Sequence, residues 1–155
     1  MNQIAQLLPE AHVLLGVDAT SKKRLFEQVG QLFEDRAQIG RATVFDSLFA
    51  REKLGSTGLG QEIAIPHGRI KGLKHALGAF VRPRQPIPFD APDGKPVAQV
   101  FVLLVPEQAT EAHLQLLSEL AQMFSDKSFR EQLAAATEAA EVHALFARWQ
   151  LAGPA

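Results

Sequence analysis

One histidine follows a short apolar run and lies between two residues that constrain the backbone. His67 comes after Ile63-Ala64-Ile65, with Pro66 before it and Gly68 behind it. The apolar triplet predicts a short buried strand, Pro66 removes a backbone donor and ends strand pairing, and Gly68 permits a backbone conformation with positive φ. The imidazole is therefore expected at a strand end, fixed in direction, where a ring nitrogen can act as a nucleophile. We place the chemistry of the chain here.

Arg51 is an anomaly in a predicted helix. It lies seven residues after Val44 and three after Leu48, so it extends the stripe that those apolar residues turn toward the interior. A guanidinium in that place either binds an anion or lays its stem along the edge of the core with its head in water. Spacing alone leaves both interpretations open.

His113 is a second anomaly of the same kind. It precedes Leu117, Leu120 and Phe124 on the inward stripe of a helix, in the first turn after Thr110. A helix start favours a bound anion and disfavours a protonated imidazole, so a neutral His113 could donate a hydrogen bond to an anion. The alternative is a half-buried histidine whose ring is satisfied by a backbone carbonyl.

Other motifs for catalysis or phosphate binding are incomplete. The glycine run 55–60 matches neither a dinucleotide fingerprint nor a P-loop, and Ser56 is not in a nucleophile elbow. A metal site from His67, His75 and His113 is disfavoured because the sequence has no i, i+4 histidine pair. We interpret the glycine run as a source of backbone N–H donors near His67, with Ser56 and Thr57 adding hydroxyls. The remaining histidines are predicted to be surface residues: His12, His75 and His143.

The stretch 55–68 also carries a resemblance. Its sequence, Gly-Ser-Thr-Gly-Leu-Gly-Gln-Glu-Ile-Ala-Ile-Pro-His-Gly, resembles the active-site signature of the phosphotransferase-system (PTS) enzyme IIA domains of the fructose/mannitol class. Within that class the Gly-Ser-Thr-Gly run is most similar to the nitrogen-regulatory branch, and the similarity spans nearly the whole chain. In such domains the histidine of Pro-His-Gly accepts a phosphoryl group from a small phosphocarrier protein and passes it on or holds it as a signal.

The resemblance assigns roles to particular residues. It implies that His67 accepts the phosphoryl group at Nε2 while a backbone carbonyl orients Nδ1, that Arg51 offsets the phosphoryl charge, and that His113, in Glu111-Ala112-His113-Leu114, donates a hydrogen bond. It implies no cofactor and no metal. The phosphate loop is expected to comprise Ser56, Thr57, Gly58 and Gly68, and an apolar docking rim is expected from Leu59, Ile70 and Phe80.

The resemblance also implies partners and leaves alternatives. The donor would be an HPr-like phosphocarrier (NPr), and the output would be regulation of transporters, sensor kinases or alarmone enzymes. The alternatives are a free-standing IIA component of a fructose- or mannitol-type transport system, a non-transferring binding module, and a histidine phosphatase using Glu52, Glu62 or Glu107 as an acid. Glu62 stands where nitrogen-regulatory members more often carry a small residue.

Composition limits the class of protein. The chain has 155 residues, 46% hydrophobic, a net charge of −1 and no cysteine. We predict a single domain over 1–155, with a core from about 5 to 150, because this length buries one good core. The weak net charge gives no general attraction to nucleic acid, and no apolar run is long enough for membrane insertion. The chain is expected to be cytoplasmic.

The predicted elements alternate between helices and strands. Helices are expected from Thr20 or Ser21 to near Gly40, from about Thr43 to Gly55, from Thr110 to about Phe124, around Ser128 to Ala135, and from Thr137 to about Gln150. Strands are expected over Ala76 to Arg82 and Val97 to Val105, joined by a proline-rich loop. This pattern predicts an α/β sandwich, and the resemblance adds a mixed parallel and antiparallel sheet with helices on both sides.

Overall fold

A mixed six-stranded sheet is the centre of the fold. This computed structural model describes residues 3–108 and 110–149. The strands are β1 (Val13–Val17), β2 (Gly58–Gly60), β3 (Ile63–Ala64), β4 (His67–Ile70), β5 (Leu77–Pro83) and β6 (Gln99–Pro106). Their order is β1-β5-β6-β3-β2, and β4 also pairs with β6. The β5–β6 and β2–β3 pairs are antiparallel, and the other three pairs are parallel.

Helices cover both faces of the sheet. They are α1 (Gln3–Leu7), α2 (Lys22–Ala37), α3 (Arg41–Lys53), α4 (Glu111–Ser125), α5 (Lys127–Ala135) and α6 (Ala139–Arg148), with a 3₁₀ turn at Glu10–His12. Apolar residues of α2 and α3 form one core with one face of the sheet, and those of α1, α4, α5 and α6 form a second core on the other face. The predicted α/β fold with a mixed, helix-flanked sheet is confirmed.

The apolar run in β6 explains why this strand lies at the centre. Every residue from Gln99 to Val105 is buried. Phe101, Leu103 and Val105 belong to one core and the alternate residues to the other, as the two-residue period of a strand requires. The strand therefore joins the two cores.

Two short strands share one edge of β6 and place His67. Ala64 of β3 pairs with Val100, and His67 at the start of β4 pairs with Leu103, both in parallel. Between the two strands, the Pro66 carbonyl accepts a hydrogen bond from the Leu103 N–H at 3.0 Å. His67 was expected at a strand end, but the structure shows that it begins a second strand after the interruption at Pro66.

The predicted helices are present, with boundaries shifted by a few residues. Ser21 is the N-cap of α2 and accepts a hydrogen bond from the Arg24 N–H at 3.2 Å. The helix ends at Ala37 because Gln38 adopts a left-handed conformation, before the predicted end near Gly40. The predicted end of the last helix, Gln150, lies outside the described residues. Within the described ranges, no helix is long and apolar enough to cross a membrane.

Two histidines differ from their predicted surface positions. His12 is 5% exposed, its Nδ1 donates to the Gly78 carbonyl at 2.9 Å, and its ring meets Phe33 edge-on. His143 is half-buried and donates from Nδ1 to the Leu8 carbonyl at 2.7 Å. Both predictions were wrong because the N-terminal segment 3–12 packs against β5 and α6, which the sequence pattern did not indicate. His75 is exposed, as predicted.

Candidate active site

The ring of His67 is held by a carbonyl two residues earlier in the chain. Its Nδ1 lies 2.9 Å from the Ile65 carbonyl oxygen. A carbonyl can only accept, so Nδ1 carries the proton and donates it, and Nε2 of the neutral ring keeps its lone pair. The half-buried imidazole therefore offers Nε2 as its nucleophilic atom.

Burial keeps this imidazole in its neutral form. Desolvation is the main reason that the pKa of His67 lies below its ordinary value of 6.5. The hydrogen bond to Ile65 raises the pKa in part, the charge of Arg51 lowers it further, and the charge of Glu52 raises it. The balance favours a neutral nucleophile at neutral pH.

Arg51 reaches the site from the last turn of α3. Its Nη1 donates to the Gly55 carbonyl at 2.9 Å, which ties the guanidinium to the start of the following loop. The side chain is half-buried and lines the same cavity as His67. The remaining N–H groups of the planar guanidinium suit the oxygens of an anion bound beside His67.

His113 reaches the site from the first turn of α4. Its Nδ1 accepts a hydrogen bond from the Thr110 N–H at 3.1 Å, which completes a capping box at the start of the helix. Because Nδ1 accepts, the neutral ring carries its proton on Nε2 and can donate it. Nδ1 is also 3.3 Å from Thr110 Oγ1. His113 therefore has an Nε2–H that is free to donate, whereas His67 has an Nε2 lone pair that is free to accept.

A cavity of about 360 Å³ brings the three side chains together. Its wall also includes Gly68, Arg69 and apolar side chains from α3, β6 and α4. Leu54 and Leu114, both on the wall, are 85% and 56% exposed. The arrangement combines a nucleophilic nitrogen, a cation and a neutral donor with an apolar mouth, which suits anion transfer at a protein interface.

Gly68 is required for a reason other than the predicted one. It does not belong to the residues with positive φ. Instead, a Cβ at this position would overlap Ser47 Oγ and come within 3.2 Å of the Ser47 carbonyl carbon. The Ser47 hydroxyl donates to the Arg69 carbonyl at 2.8 Å, so glycine lets α3 approach β4 closely. This close approach brings Arg51 toward His67.

The glycine loop uses its donors internally. Ser56 Oγ donates to the Phe89 carbonyl at 2.6 Å and accepts from the Gly58 N–H at 3.0 Å. Thr57 is buried, and both its N–H and its hydroxyl donate to the carboxylate of Glu52. Ser56, Thr57 and Gly58 do not line the cavity. These contacts do not support the expected role of the three residues as phosphate donors and indicate that the loop positions its neighbours.

The expected docking rim is largely incorrect. Ile70 and Phe80 are 3% and 0% exposed because each faces one of the two cores. Leu59 is 45% exposed but is not part of the cavity wall. In the parts of the chain that the structure covers, no group of three His, Cys, Asp or Glu side chains could hold a metal ion.

Comparisons with known proteins identify the family. Residues 6–149 match the family described as "Phosphoenolpyruvate-dependent sugar phosphotransferase system, EIIA 2". The chain belongs to the PTS EIIA 2 family. It is 44% identical over 140 residues to a nitrogen regulatory protein from Pseudomonas aeruginosa, a match that covers 90% of this chain and 91% of the relative.

A solved structure of a nitrogen regulatory protein has the same fold as this EIIA 2 chain. The nitrogen regulatory protein IIA-Ntr from Neisseria meningitidis superposes with a TM-score of 0.88 at 56% identity, covering 93% of this chain and 99% of that one. A fructose-specific EIIA component from Haloferax volcanii is 32% identical, with 86% of this chain and 87% of that protein covered. EIIA 2 proteins act in phosphotransfer.

The sequence predicted three polar residues of the EIIA 2 cavity, Arg51, His67 and His113, and missed its exposed part. Leu54, Leu114 and Arg69 had not been considered as site residues. Leu114 directly follows His113, and Arg69 lies two residues after His67, on the same face of a strand. The two-residue period would have identified Arg69 if β4 had been recognised. The exposure of the leucines depends on tertiary packing.

Proposed function

We propose that Nε2 of His67 accepts a phosphoryl group from an HPr-like phosphocarrier protein. The observation that carries this proposal is the 2.9 Å hydrogen bond from His67 Nδ1 to the Ile65 carbonyl, which leaves Nε2 as the free nitrogen in a cavity shared with Arg51 and His113. Nε2 is positioned before the phosphocarrier arrives. Such prior positioning of the reacting groups supplies most of the catalysis of phosphoryl transfer.

The transfer needs only one bond to form and one to break. Nε2 attacks the phosphorus of a phosphohistidine on the carrier in line, the new N–P bond forms as the carrier's N–P bond breaks, and the carrier's histidine leaves with the bonding electrons. Arg51 offsets the charge on the phosphoryl oxygens, and the Nε2–H of His113 donates to one of them. The proton stays on Nδ1 of His67, which keeps donating to the Ile65 carbonyl, so the ring needs no proton transfer to react. No cofactor is assigned to this step.

We further propose that the phosphorylation state regulates protein partners in the cytoplasm. The similarity to nitrogen regulatory proteins over nine-tenths of the chain supports this output. A carrier of the nitrogen branch (NPr) is the donor that this similarity favours, and transporters, sensor kinases or alarmone enzymes are the candidate targets. A phosphoryl group adds about two negative charges at the mouth of the cavity and would change docking there without a change of fold.

A transport component is the second candidate because a fructose-specific EIIA component shows 32% identity. The two functions differ in the recipient of the phosphoryl group. Incubating the phosphorylated protein with a purified fructose-type IIB protein tests the difference. Rapid loss of the adduct to IIB favours transport, whereas retention of the adduct together with state-dependent binding of a partner favours regulation.

Intact mass tests the phosphoryl acceptor directly. The protein is incubated with phosphoenolpyruvate, enzyme I and an HPr-like carrier, and we expect one acid-labile phosphoryl adduct on the wild type and none on His67→Ala. His75→Ala is the matched control, because His75 is exposed and outside the cavity, and it should be phosphorylated normally. A wild type that gains no adduct would favour a non-transferring binding module, and steady release of inorganic phosphate would favour a phosphatase.

A further inference from the structure

Glu52 is a carboxylate inside the protein. Its side chain is 3% exposed, and it is the only buried carboxylate in the part of the chain that the structure describes. A charge is costly to bury unless it is paired and hydrogen-bonded. Glu52 does not line the cavity, although it directly follows Arg51, which does. Its burial therefore calls for an explanation beyond contact with a bound phosphoryl group.

Three donors meet the two oxygens of this carboxylate. Oε2 accepts from Lys22 Nζ at 2.9 Å and from the Thr57 N–H at 3.0 Å, and Oε1 accepts from the Thr57 hydroxyl at 2.6 Å. Lys22 belongs to α2 and also lies 4.7 Å from the centre of the Phe89 ring. Glu52 therefore joins α2, α3 and the glycine loop at one buried point.

The hydrogen bonds continue from Thr57 to the nucleophile. The Thr57 carbonyl accepts from the Ile65 N–H at 3.0 Å, and the Ile65 carbonyl accepts from Nδ1 of His67 at 2.9 Å. Ile65 lies between β3 and β4, outside the regular pairing with β6. Its N–H is bonded to Thr57, so the direction of its carbonyl depends on where Thr57 is held.

We propose that Glu52 is a positioning residue for the phosphoryl acceptor. Clamped by Lys22, it fixes the Thr57 peptide, which fixes Ile65, whose carbonyl selects the Nδ1–H form of His67 and leaves Nε2 free. This relay rests on the proposed function for its purpose, because a fixed ring form matters most if Nε2 is the acceptor. The role of Glu52 is exerted through Thr57 and Ile65 and involves no contact with the phosphoryl group.

The test measures the ring form of His67 separately from the transfer rate. In ¹⁵N spectra of the histidine rings, we expect wild-type His67 to show one neutral form with the proton on Nδ1. Glu52→Ala should show a mixture of both forms and accept the phosphoryl group about 10- to 100-fold more slowly, as expected for a misplaced reacting group. Glu52→Gln should restore most of both properties, because its amide can still accept from the Thr57 N–H and pair with the hydroxyl.

The matched control is Glu131→Ala. Glu131 also pairs with a lysine, Lys127, at 3.9 Å, but its side chain is 67% exposed and lies in α5, away from the cavity. We expect this variant to keep the wild-type ring form and rate. All variants are compared at a temperature at which circular dichroism shows that they are folded. If Glu52→Ala does not fold, Thr57→Val removes one bond of the relay, and Thr57→Ser should rescue it.

The outcomes separate the two proposals. A folded Glu52→Ala or Thr57→Val protein with the wild-type ring form and rate would overturn the positioning role, as would equal changes in Glu131→Ala. A wild type that is never phosphorylated would overturn the proposed function. In that case the ring form in the spectra still decides whether Glu52 orients His67.

Discussion

At the scale of single residues, the electrostatics of His67 decide how the site responds to pH. Burial holds the pKa of His67 below 6.5, and Arg51 lowers it further. Only the neutral ring can attack, so phosphoryl acceptance should decline as pH falls, and the midpoint of this decline should lie below pH 6.5. Arg51→Met should raise the pKa, because it removes a positive charge, and move the decline to higher pH. NMR titration of the His67 ring, with initial rates measured in parallel, checks both shifts.

Arg69→Met is the control for that experiment. Arg69 is exposed and lines the same cavity, but its charge is not among the causes of the shift at His67. We expect it to leave the pKa of His67 near the wild-type value. An equal upward shift in both variants would mean that general positive charge at the cavity, and not Arg51 in particular, lowers the pKa.

His113 has a structural role and a proposed chemical role, and two substitutions separate them. Its Nδ1 caps α4 by accepting from the Thr110 N–H. Glutamine at this position also completes a capping box, whereas alanine does not. We expect His113→Ala to lose about 0.5–2 kcal/mol of stability as well as transfer rate, and His113→Gln to keep near-wild-type stability with slower transfer. Denaturant unfolding and single-turnover phosphorylation provide the measurements.

The opposite pattern would contradict the assignment. If His113→Gln transferred at the wild-type rate, the imidazole Nε2–H would not be needed at the phosphoryl group, and capping would explain the position. If both variants were equally unstable, the capping bond from Thr110 would not distinguish them, and the loss of rate in His113→Ala could not be attributed to chemistry.

At the scale of elements, the sequence predicted the helices and strands whose apolar residues repeat with a clear period. It missed several of the short elements. The longer helices and the two long strands, β5 and β6, repeat their apolar residues over enough positions to reveal their type. By contrast, β2 contains three residues and α1 contains five, too few for a period to be recognised, whereas the two-residue β3 was predicted from the apolar run Ile63-Ala64-Ile65. Strand β4 was missed because Pro66 suggested the end of the strand pairing that resumes at His67.

The turn between β2 and β3 carries backbone strain. Gln61 and Glu62 join the two antiparallel strands and have φ of 57° and 66°, the conformation of a two-residue hairpin turn that favours Asn-Gly. The Gln61 N–H is held by Asp93 Oδ2 at 3.0 Å. A positive φ at position 62 gives a physical reason for a small residue there. We expect Glu62→Gly to stabilise the protein by about 0.5–1 kcal/mol, measured by urea unfolding.

Glu107→Gly is the control for Glu62→Gly. Glu107 is an exposed turn residue without positive φ. Glu107→Gly should be neutral or destabilising, because glycine gains nothing in relief of strain there and makes the unfolded chain more flexible. Equal stabilisation by both glycines would show that strain at Glu62 is not the cause.

At the scale of the whole molecule, the cavity mouth offers a partner exposed apolar surface, while the net charge of the chain is small. The net charge of −1 gives no long-range attraction to a partner. The α3 and α4 ends meet across the cavity and bring two exposed leucines, Leu54 and Leu114, to its mouth. A mouth of this kind suits a partner that brings its own phosphohistidine into the cavity and excludes water around it. The domain count was predicted from length alone and stays a prediction.

Apolar docking predicts a change in carrier recognition and not in chemistry. Burying a leucine side chain contributes about 1.5–3 kcal/mol, so Leu54→Ser together with Leu114→Ser should raise the KM for the phosphocarrier about tenfold or more with little change in kcat. Leu59→Ser is the matched control, because Leu59 is 45% exposed but lies outside the cavity wall. Steady-state transfer at varied carrier concentration measures both constants. A fall in kcat at unchanged KM would mean that the leucines act after binding, by excluding water from the transferring phosphoryl group.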